Sequence, residues 1–361
     1  MLNTTLIERI LSTIPHRTVG LLGDLFLDRY LDIDPARDEP SVETGLTAFQ
    51  VTGVRSYPGA LGTVLNNLVA LGVGRIVPIA AVGDDGEGYE LRQALKAMQG
   101  VELDGVFGAP GRRTPTYTKP MYGSKELNRL DIKNRTPTPA GVEDAILKLL
   151  DEAWPRLDAL IVLDQVSEED CGVVTKRVRE RLAELGKRDP DKFVLADSRE
   201  RIGLFRNVCV KPNRGELRHA RPNPAPFDSL HAYVELTGQS LAQAELAWLS
   251  ARLVMDAGLP VVFATDGAEG IIVSWGEADD PAHGGDMQRI RAYPVSGPID
   301  TCGAGDSCSA GITAAMVSGA THEEAAAFGN LLASITIQQI GVTGTASPEQ
   351  VRARWREVQP Q

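Results

Sequence analysis

The residues best suited to chemistry lie in Asp300-Thr-Cys-Gly-Ala-Gly-Asp306, which runs into Ser-Cys-Ser-Ala-Gly311 and an apolar stretch. Gly303 and Gly305 permit a tight turn whose backbone N–H groups stay uncovered. Those donors, with the positive end of the helix expected after them, suit an anion such as a transferring phosphoryl group. A carboxylate placed there competes with the anion for the same donors, so Asp306 needs a task of its own. Accepting the proton of a hydroxyl that attacks the phosphoryl is one such task. A plain loop-to-helix junction with Asp306 at the N-cap uses the same residues without function. The rest of the chain decides between the two.

Five further constellations follow expected strands or open expected helices. In Gly23-Asp-Leu-Phe-Leu-Asp28, Asp24 and Asp28 can accept hydrogen bonds from a polyol, or serve only as strand-end turn residues. In Tyr57-Pro-Gly-Ala-Leu-Gly-Thr-Val-Leu-Asn-Asn67, Gly59 and Gly62 allow close backbone approach, and Thr63 or Asn67 offers a polar head. In Lys211-Pro-Asn-Arg-Gly-Glu216, Asn213 and Glu216 share one face if a helical turn begins there. Glu216 then suits magnesium, directly or through its waters, or is simply an acid in a first turn. Thr265-Asp-Gly-Ala-Glu-Gly270 fits the wall of a nucleotide site or a plain hairpin. Asn330 and Gly341-Val-Thr-Gly-Thr345 flank the last long helix, where they suit an adenine pocket or present carbonyls to a monovalent cation. The chain carries no P-loop, no G-x-G-x-x-G after a strand and no G-x-S-x-G elbow, and its five histidines form no metal cluster.

These residues need a frame to hold them together. Expected strands are Val19–Leu22, Ile76–Val82, Leu160–Leu163, Phe193–Ala196, Val208–Lys211, Val261–Ala264 and Ile271–Ser274. Expected helices are Leu61–Leu71, Tyr89–Met98, Val142–Ala153, Glu168–Leu185, Ala242–Ala257, Ala310–Val317 and Glu323–Gln339. Continuous apolar strands between amphipathic helices predict an α/β fold with a mainly parallel sheet covered on both faces. Ligands sit beyond the carboxyl ends of such strands, where these constellations fall. Leu31–Tyr57 and Val106–Arg135 break the alternation and read as β-rich excursions that pair into a flap, or else as solvent loops. Pro222–Ser229 and Gly276–Asp286 read as surface loops, and there is no internal repeat.

A formal charge of −11, from 37 basic and 48 acidic residues among 361, argues against nucleic acid or an anionic membrane as partner. Four cysteines without zinc spacing suit a reducing cytoplasm. The N-terminus is amphipathic rather than signal-like, and no apolar run is long enough to span a bilayer.

Taken in order, these constellations resemble the ribokinase-like (PfkB) carbohydrate kinases over nearly the whole chain. Asp300–Asp306 is similar to that family's D-T-x-G-A-G-D signature without a mismatch, and Asn213 to Glu216 to its N-x-x-E motif. Gly267 and Gly270 match its nucleotide-wall turn, and Asn330 and Gly344 its adenine side. Within the family the chain most resembles the kinase part of bacterial heptose-phosphate kinase/adenylyltransferases. The segments Gly23–Tyr30, Thr114–Lys119 and Asn128–Asp131 carry that likeness. No His-x-Gly-His motif occurs, so an adenylyltransferase half is expected to be missing.

The resemblance implies a three-layer α/β/α fold with a small β lid, formed by 31–57 and 106–135 within one kinase domain. It makes Asp306 the base and Gly303, Ala304 and Gly305 the anion hole. It places Asp24, Asp28, Gly59, Thr63, Asn67, Lys119 and Arg129 on the sugar and lid side. Asn213, Thr265, Gly267, Gly270, Asn330 and Gly344 fall on the nucleotide side. Glu216 and Asn213 would organise magnesium, and Asp300 with the backbone near Cys302 would seat a potassium-like ion. ATP is the implied phosphoryl donor, a sugar or sugar phosphate the acceptor, and a homodimer through the lid is consistent with the family. The usual Gly-Gly pair is Gly59-Ala60 here, and Thr63 replaces a common asparagine. Acceptor identity is therefore open among sugars, nucleosides, fructose phosphate and ketodeoxygluconate. A catalytically idle sugar- or nucleotide-binding regulator is the reading from a different class.

Overall fold

A computed structural model of the chain describes residues 2–220, 234, 240–276 and 286–359. Its main sheet is built on β1 (Thr18–Gly23), which has β11 (Ala159–Asp164) on one side and β6 (Arg75–Gly83) on the other. Beyond β6 lies β7 (Val106–Ala109). Beyond β11 come β12 (Phe193–Ser198), β13 (Cys209–Val210), β14 (Val261–Thr265), β15 (Ile271–Trp275) and β16 (Asp286–Ile290). All neighbours from β7 to β14 run parallel; β15 and β16 are antiparallel additions. The chain order reverses at β1, which creates the crevice where open α/β sheets bind ligands.

The central strands β1, β6, β11 and β12 are mainly apolar because both faces are covered. Ile161 and Leu163 of β11 enter one core, and Leu160 and Val162 enter the other, as the period of two requires. The first core is closed by α1 (Thr4–Thr13), α2 (Leu61–Leu71), α3 (Gly86–Lys96), α8 (Ala304–Met316), α9 (His322–Thr336) and α10 (Pro348–Val358). The second is closed by α4 (Ala140–Ala153), α5 (Lys176–Arg188), α6 (Arg214–Ala220) and α7 (Leu241–Ala257). No helix among the described residues is long and apolar enough to cross a membrane.

A second sheet joins β2 (Leu25–Ile33) to β5 (Val51–Ala60) and β8 (Thr116–Tyr122), with β10 (Leu130–Ile132) beyond β8. A hairpin of β3 (Glu39–Pro40) and β4 (Thr47–Ala48) extends from it, and β9 (Lys125–Glu126) pairs with β8. These strands fall largely in the two β-rich stretches, with shifted limits. β2 begins at Leu25 rather than Leu31, and Val106–Ala109 belongs to the main sheet beside β6.

Two expected helices also change. Residues 165–175 form a loop, and α5 starts only at Lys176, where Thr175 caps it by accepting the Val178 amide. α8 begins at Ala304, six residues before the expected start, so Asp306 lies inside its first turn. Helix α6 realises the helical turn considered at Asn213–Glu216, while helices α1 and α10 and strand β16 have no counterpart among the expected elements. The expected loop Pro222–Ser229 lies outside the described residues, as does 277–285 of the other; Asp286 opens β16.

Candidate active site

The first turn of α8 is shaped by Gly303, whose φ is +76°. A Cβ there would meet Thr343 Cγ2 at 2.5 Å and Thr63 Cγ2 at 3.2 Å, so the turn packs against α2 and the 341–345 loop only as glycine. Among the described residues no side chain caps α8. The Ala304 N–H bonds the Thr301 carbonyl at 3.2 Å and the Ser307 N–H bonds the Gly303 carbonyl at 3.0 Å. The amides of Gly305 and Asp306 have no acceptor among the described residues, and free amides at a helix N-terminus are donors suited to an anion.

That turn forms one end of a cavity of about 510 Å³. Its floor is made by residues at the carboxyl ends of parallel strands: Gln165 after β11, Asp197 and Arg199 at β12, Lys211 after β13 and Thr265 at β14. Its roof comes from the second sheet, with Phe26 and Asp28 on β2, Tyr117 and Lys119 on β8, and Arg129. Phe26 and Tyr117 pack edge to face at 5.2 Å. Arg129 lies 4.3 Å over the Tyr117 ring and grips Asp131 with bonds of 2.6 and 2.9 Å. Lys119 donates to the Tyr30 hydroxyl at 3.1 Å and stands 3.7 Å from Asp28 Oδ1.

The electrostatics divide the carboxylates. Asp306 is pushed up to about 7, first by burial and then by Asp197, with Lys211 and Arg199 pulling the other way. Glu216 is pushed up to about 7 by burial and Asp197. Burial also raises Asp28, although Lys119 opposes it. Lys211 is buried, and its Nζ lies 2.7 Å from Asp197 Oδ2. Burial works against its charge, but Asp197 and its other anionic neighbours override this and hold the ammonium protonated. With its amide oriented toward Arg199, Gln165 accepts from Nε at 2.8 Å and from Nη2 at 2.7 Å.

Of the residues singled out from sequence, Asp28, Thr63, Lys119, Arg129, Asn213, Glu216, Thr265, Gly303, Gly305 and Asp306 line this one cavity, with Ala304 between the two glycines. Gly59 stands behind Asp28: a Cβ there would fall 2.4 Å from Asp28 Oδ2. Asn213 and Glu216 cap α6 reciprocally. The Glu216 amide donates to Asn213 Oδ1 at 3.0 Å, and the Asn213 amide donates to Glu216 Oε2 at 2.7 Å.

Other expected residues lie away from the cavity. Asp24 is buried between the sheets and accepts the amides of Gln165, Val166 and Val173 at 3.0, 3.3 and 2.7 Å. Its carboxylate holds the loop that displaced the expected start of α5. Asn67 is buried in α2, where its Nδ2 donates to the Thr63 carbonyl. Asn330 donates to the carbonyls of Ile290 and Arg291 and so ties α9 to the end of β16. Gly270 lets the turn after β14 approach Ile290, and Gly344 lets its loop approach Thr336; a Cβ would fall 2.1 and 2.4 Å from those carbonyl oxygens. Gly267 is open, with no described residue within 4 Å of a Cβ position. Asp300 accepts the Cys302 amide at 3.0 Å and the Gly341 amide at 3.2 Å, clamping the glycine turn to the last loop.

Sequence reasoning assigned no role to Phe26, Tyr117, Gln165, Asp197, Arg199 or Lys211. The available signal was position, since Gln165, Asp197, Arg199 and Lys211 lie at or just past the end of an apolar strand. Among the described residues no group of three His, Cys, Asp or Glu side chains is placed to hold a metal ion.

A family model of pfkB carbohydrate kinases matches residues 28–350. The bifunctional protein HldE of Gluconobacter oxydans is 25% identical over 344 residues, covering 95% of this chain and 65% of that protein. The HldE of Geobacter metallireducens is 27% identical over 333 residues, covering 92% of this chain and 61% of that protein. The chain thus spans less than two thirds of the length of these relatives. Among solved structures, Arabidopsis thaliana ribokinase complexed with ribose and ATP superimposes with a TM-score of 0.63 at 17% identity, covering 94% of this chain and 98% of that one. Escherichia coli phosphofructokinase-2 in complex with substrates and products gives 0.66 at 16% identity, covering 95% and 100%.

Proposed function

Because the chain belongs to the pfkB family of carbohydrate kinases and has the ribokinase-like α/β fold, we propose that it is an ATP-dependent kinase. Its acceptor is a hydroxyl of a sugar or sugar phosphate, with heptose phosphates the first candidates because of the likeness to the HldE proteins. One observation carries this reading: Asp306, in the uncapped first turn of α8, opens into the same cavity as Asp28 and Lys119.

Asp28, braced by Lys119 and given room by Gly59, orients acceptor hydroxyls. Asp306 takes the proton of the attacking hydroxyl late in bond formation. The amides at the start of α8 stabilise charge that develops on the transferred group. The second sheet acts as a lid that excludes water. Thr265 and Gly267 remain on the nucleotide side, while Gly270, Asn330 and Gly344 shape its wall through the backbone.

The donor set suits a magnesium ion held mainly by phosphate oxygens and water. Glu216 keeps one carboxylate oxygen free of the α6 cap, and among the described residues no cage of carboxylates surrounds it. When bound, that ion neutralises the nucleotide phosphates. Asp300 uses one lone pair of each oxygen on a backbone amide, leaving the others for a monovalent cation.

Exposed Val42, Leu46, Phe49, Val51 and Val54, on the β3–β4 hairpin, its link to β5 and β5, support pairing of two copies through the lid. Sedimentation equilibrium tests that pairing. All four cysteines are free thiols, which supports a cytoplasmic setting. The kinase reading is tested by magnesium-dependent ADP release over a panel of sugars, sugar phosphates and nucleosides. Stimulation by one class of acceptor supports it; silence across the panel, with ATP still bound, favours a regulatory binding protein.

A further inference from the structure

Lys211 has no part in the mechanism above, yet its setting is unusual for a lysine. It follows β13 directly, and its own amide is fixed to the Ala196 carbonyl at 2.9 Å. The side chain runs beneath the carboxyl edge of the sheet and is only 3% exposed. Its ammonium stands 2.7 Å from Asp197 Oδ2 and 3.5 Å from the position a Cβ on Gly305 would occupy. It therefore lies against the first turn of α8, the turn whose Gly305 and Asp306 amides lack acceptors. An ammonium has three N–H donors; Asp197 takes one, and among the described residues no hydrogen bond uses the other two. A buried ion pair that served stability alone would gain little over apolar side chains of the same size. This one is built into the cavity wall, with both partners lining it.

Resting on the kinase reading, we propose that Lys211 contacts the terminal phosphoryl group of the nucleotide, completing the anion site begun by the α8 amides. Asp197 is the positioning residue that holds the ammonium there. Lys119 and Arg129 belong to the roof around Asp28 and Tyr117 and leave this position to Lys211. The Lys211 side chain is rigid because Asp197 and the sheet edge enclose it. It presents a fixed charge to the group in transfer, which is most valuable where water is excluded.

The test compares the binding of ADP and adenylyl imidodiphosphate, each with magnesium, by calorimetry on the full chain, so that no acceptor need be known. Lys211→Met and the charge-balanced pair Lys211→Met/Asp197→Asn are measured beside the wild type, and thermal melting without nucleotide establishes that each is folded. The wild type is expected to bind the triphosphate analogue about tenfold to a hundredfold more tightly than ADP, the range of a charge-assisted contact. Both variants should bring that ratio close to one while ADP affinity stays within about threefold, since ADP lacks the contacted group. Asp197→Asn alone, which keeps the cation but releases it, should lower the ratio part of the way. Folded variants that keep the wild-type ratio would overturn the role of Lys211. A wild type that binds neither nucleotide would instead overturn the kinase reading.

Discussion

The raised carboxyl of Asp306 makes the acid side of the pH profile a test of its role as base. Its value of about 7 results from burial and Asp197 acting against Lys211 and Arg199. A base works only when deprotonated. With that value, about one molecule in eleven is competent at pH 6 and about ten in eleven at pH 8. The rate with both substrates far below saturation reports the free enzyme, and it should rise about tenfold across that interval. The neighbours supply the sign test. Asp197→Asn removes a charge that raises Asp306, so the limb should move to lower pH. Lys211→Met removes a charge that lowers it, so the limb should move to higher pH. Glu216 is also pushed up to about 7, so the limb should be followed in Glu216→Gln, where it persists if Asp306 is its source. A rate that is flat from pH 6 to 8, or an Asp197→Asn limb displaced to higher pH, would refute the reasoning.

Three substitutions probe the frame. Gly303→Ala forces an L-residue to φ +76° with its Cβ 2.5 Å from Thr343 Cγ2; kcat/KM should fall by about fivefold to a hundredfold, from strain of roughly 1–3 kcal/mol at the anion turn. Gly59→Ala drives a methyl into the Asp28 carboxylate, so steady-state kinetics should show a raised KM for the acceptor and an unchanged KM for ATP. Asp24→Ala strands three amides of the 165–173 loop and should cost about 1–3 kcal/mol in denaturant unfolding; an unchanged midpoint would return Asp24 to the acceptor site.

The sequence made the fold legible where local pattern and burial agree. Strand β11 is apolar from Ala159 to Leu163 because Leu160 and Ile161 face different cores, and α2 was read with its observed limits, Leu61–Leu71. The pattern failed where a tertiary contact overrides it. Residues 168–175 have helical composition, but Asp24 captures the amides of Gln165, Val166 and Val173 and keeps the segment a loop. Asp24 and Asp28 looked equivalent in sequence. The break at Gly23, whose Cβ would fall 2.2 Å from the Leu163 carbonyl, leaves Asp24 at the crossing between sheets and Asp28 on the roof of the cavity.

The glycine turn was legible because its chemistry is local, seven residues from Asp300 to Asp306. The floor was not. Gln165, Asp197, Arg199 and Lys211 come from the ends of three different strands, β11, β12 and β13, and only the parallel register gathers them. Asn330, Gly270 and Gly344 were legible as special positions, but their requirement is close backbone approach.

The central claim, that Asp306 activates an acceptor hydroxyl for phosphoryl transfer, is tested most directly by following γ-³²P-labelled ATP into the acceptor. The wild type and Asp306→Asn should be compared with the acceptor that best stimulates ADP release. The account predicts labelled phospho-acceptor from the wild type. From Asp306→Asn it predicts turnover lower by about a hundredfold to ten-thousandfold, with ATP binding retained. Near-normal turnover in Asp306→Asn, or label that leaves the wild type only as inorganic phosphate, would contradict it.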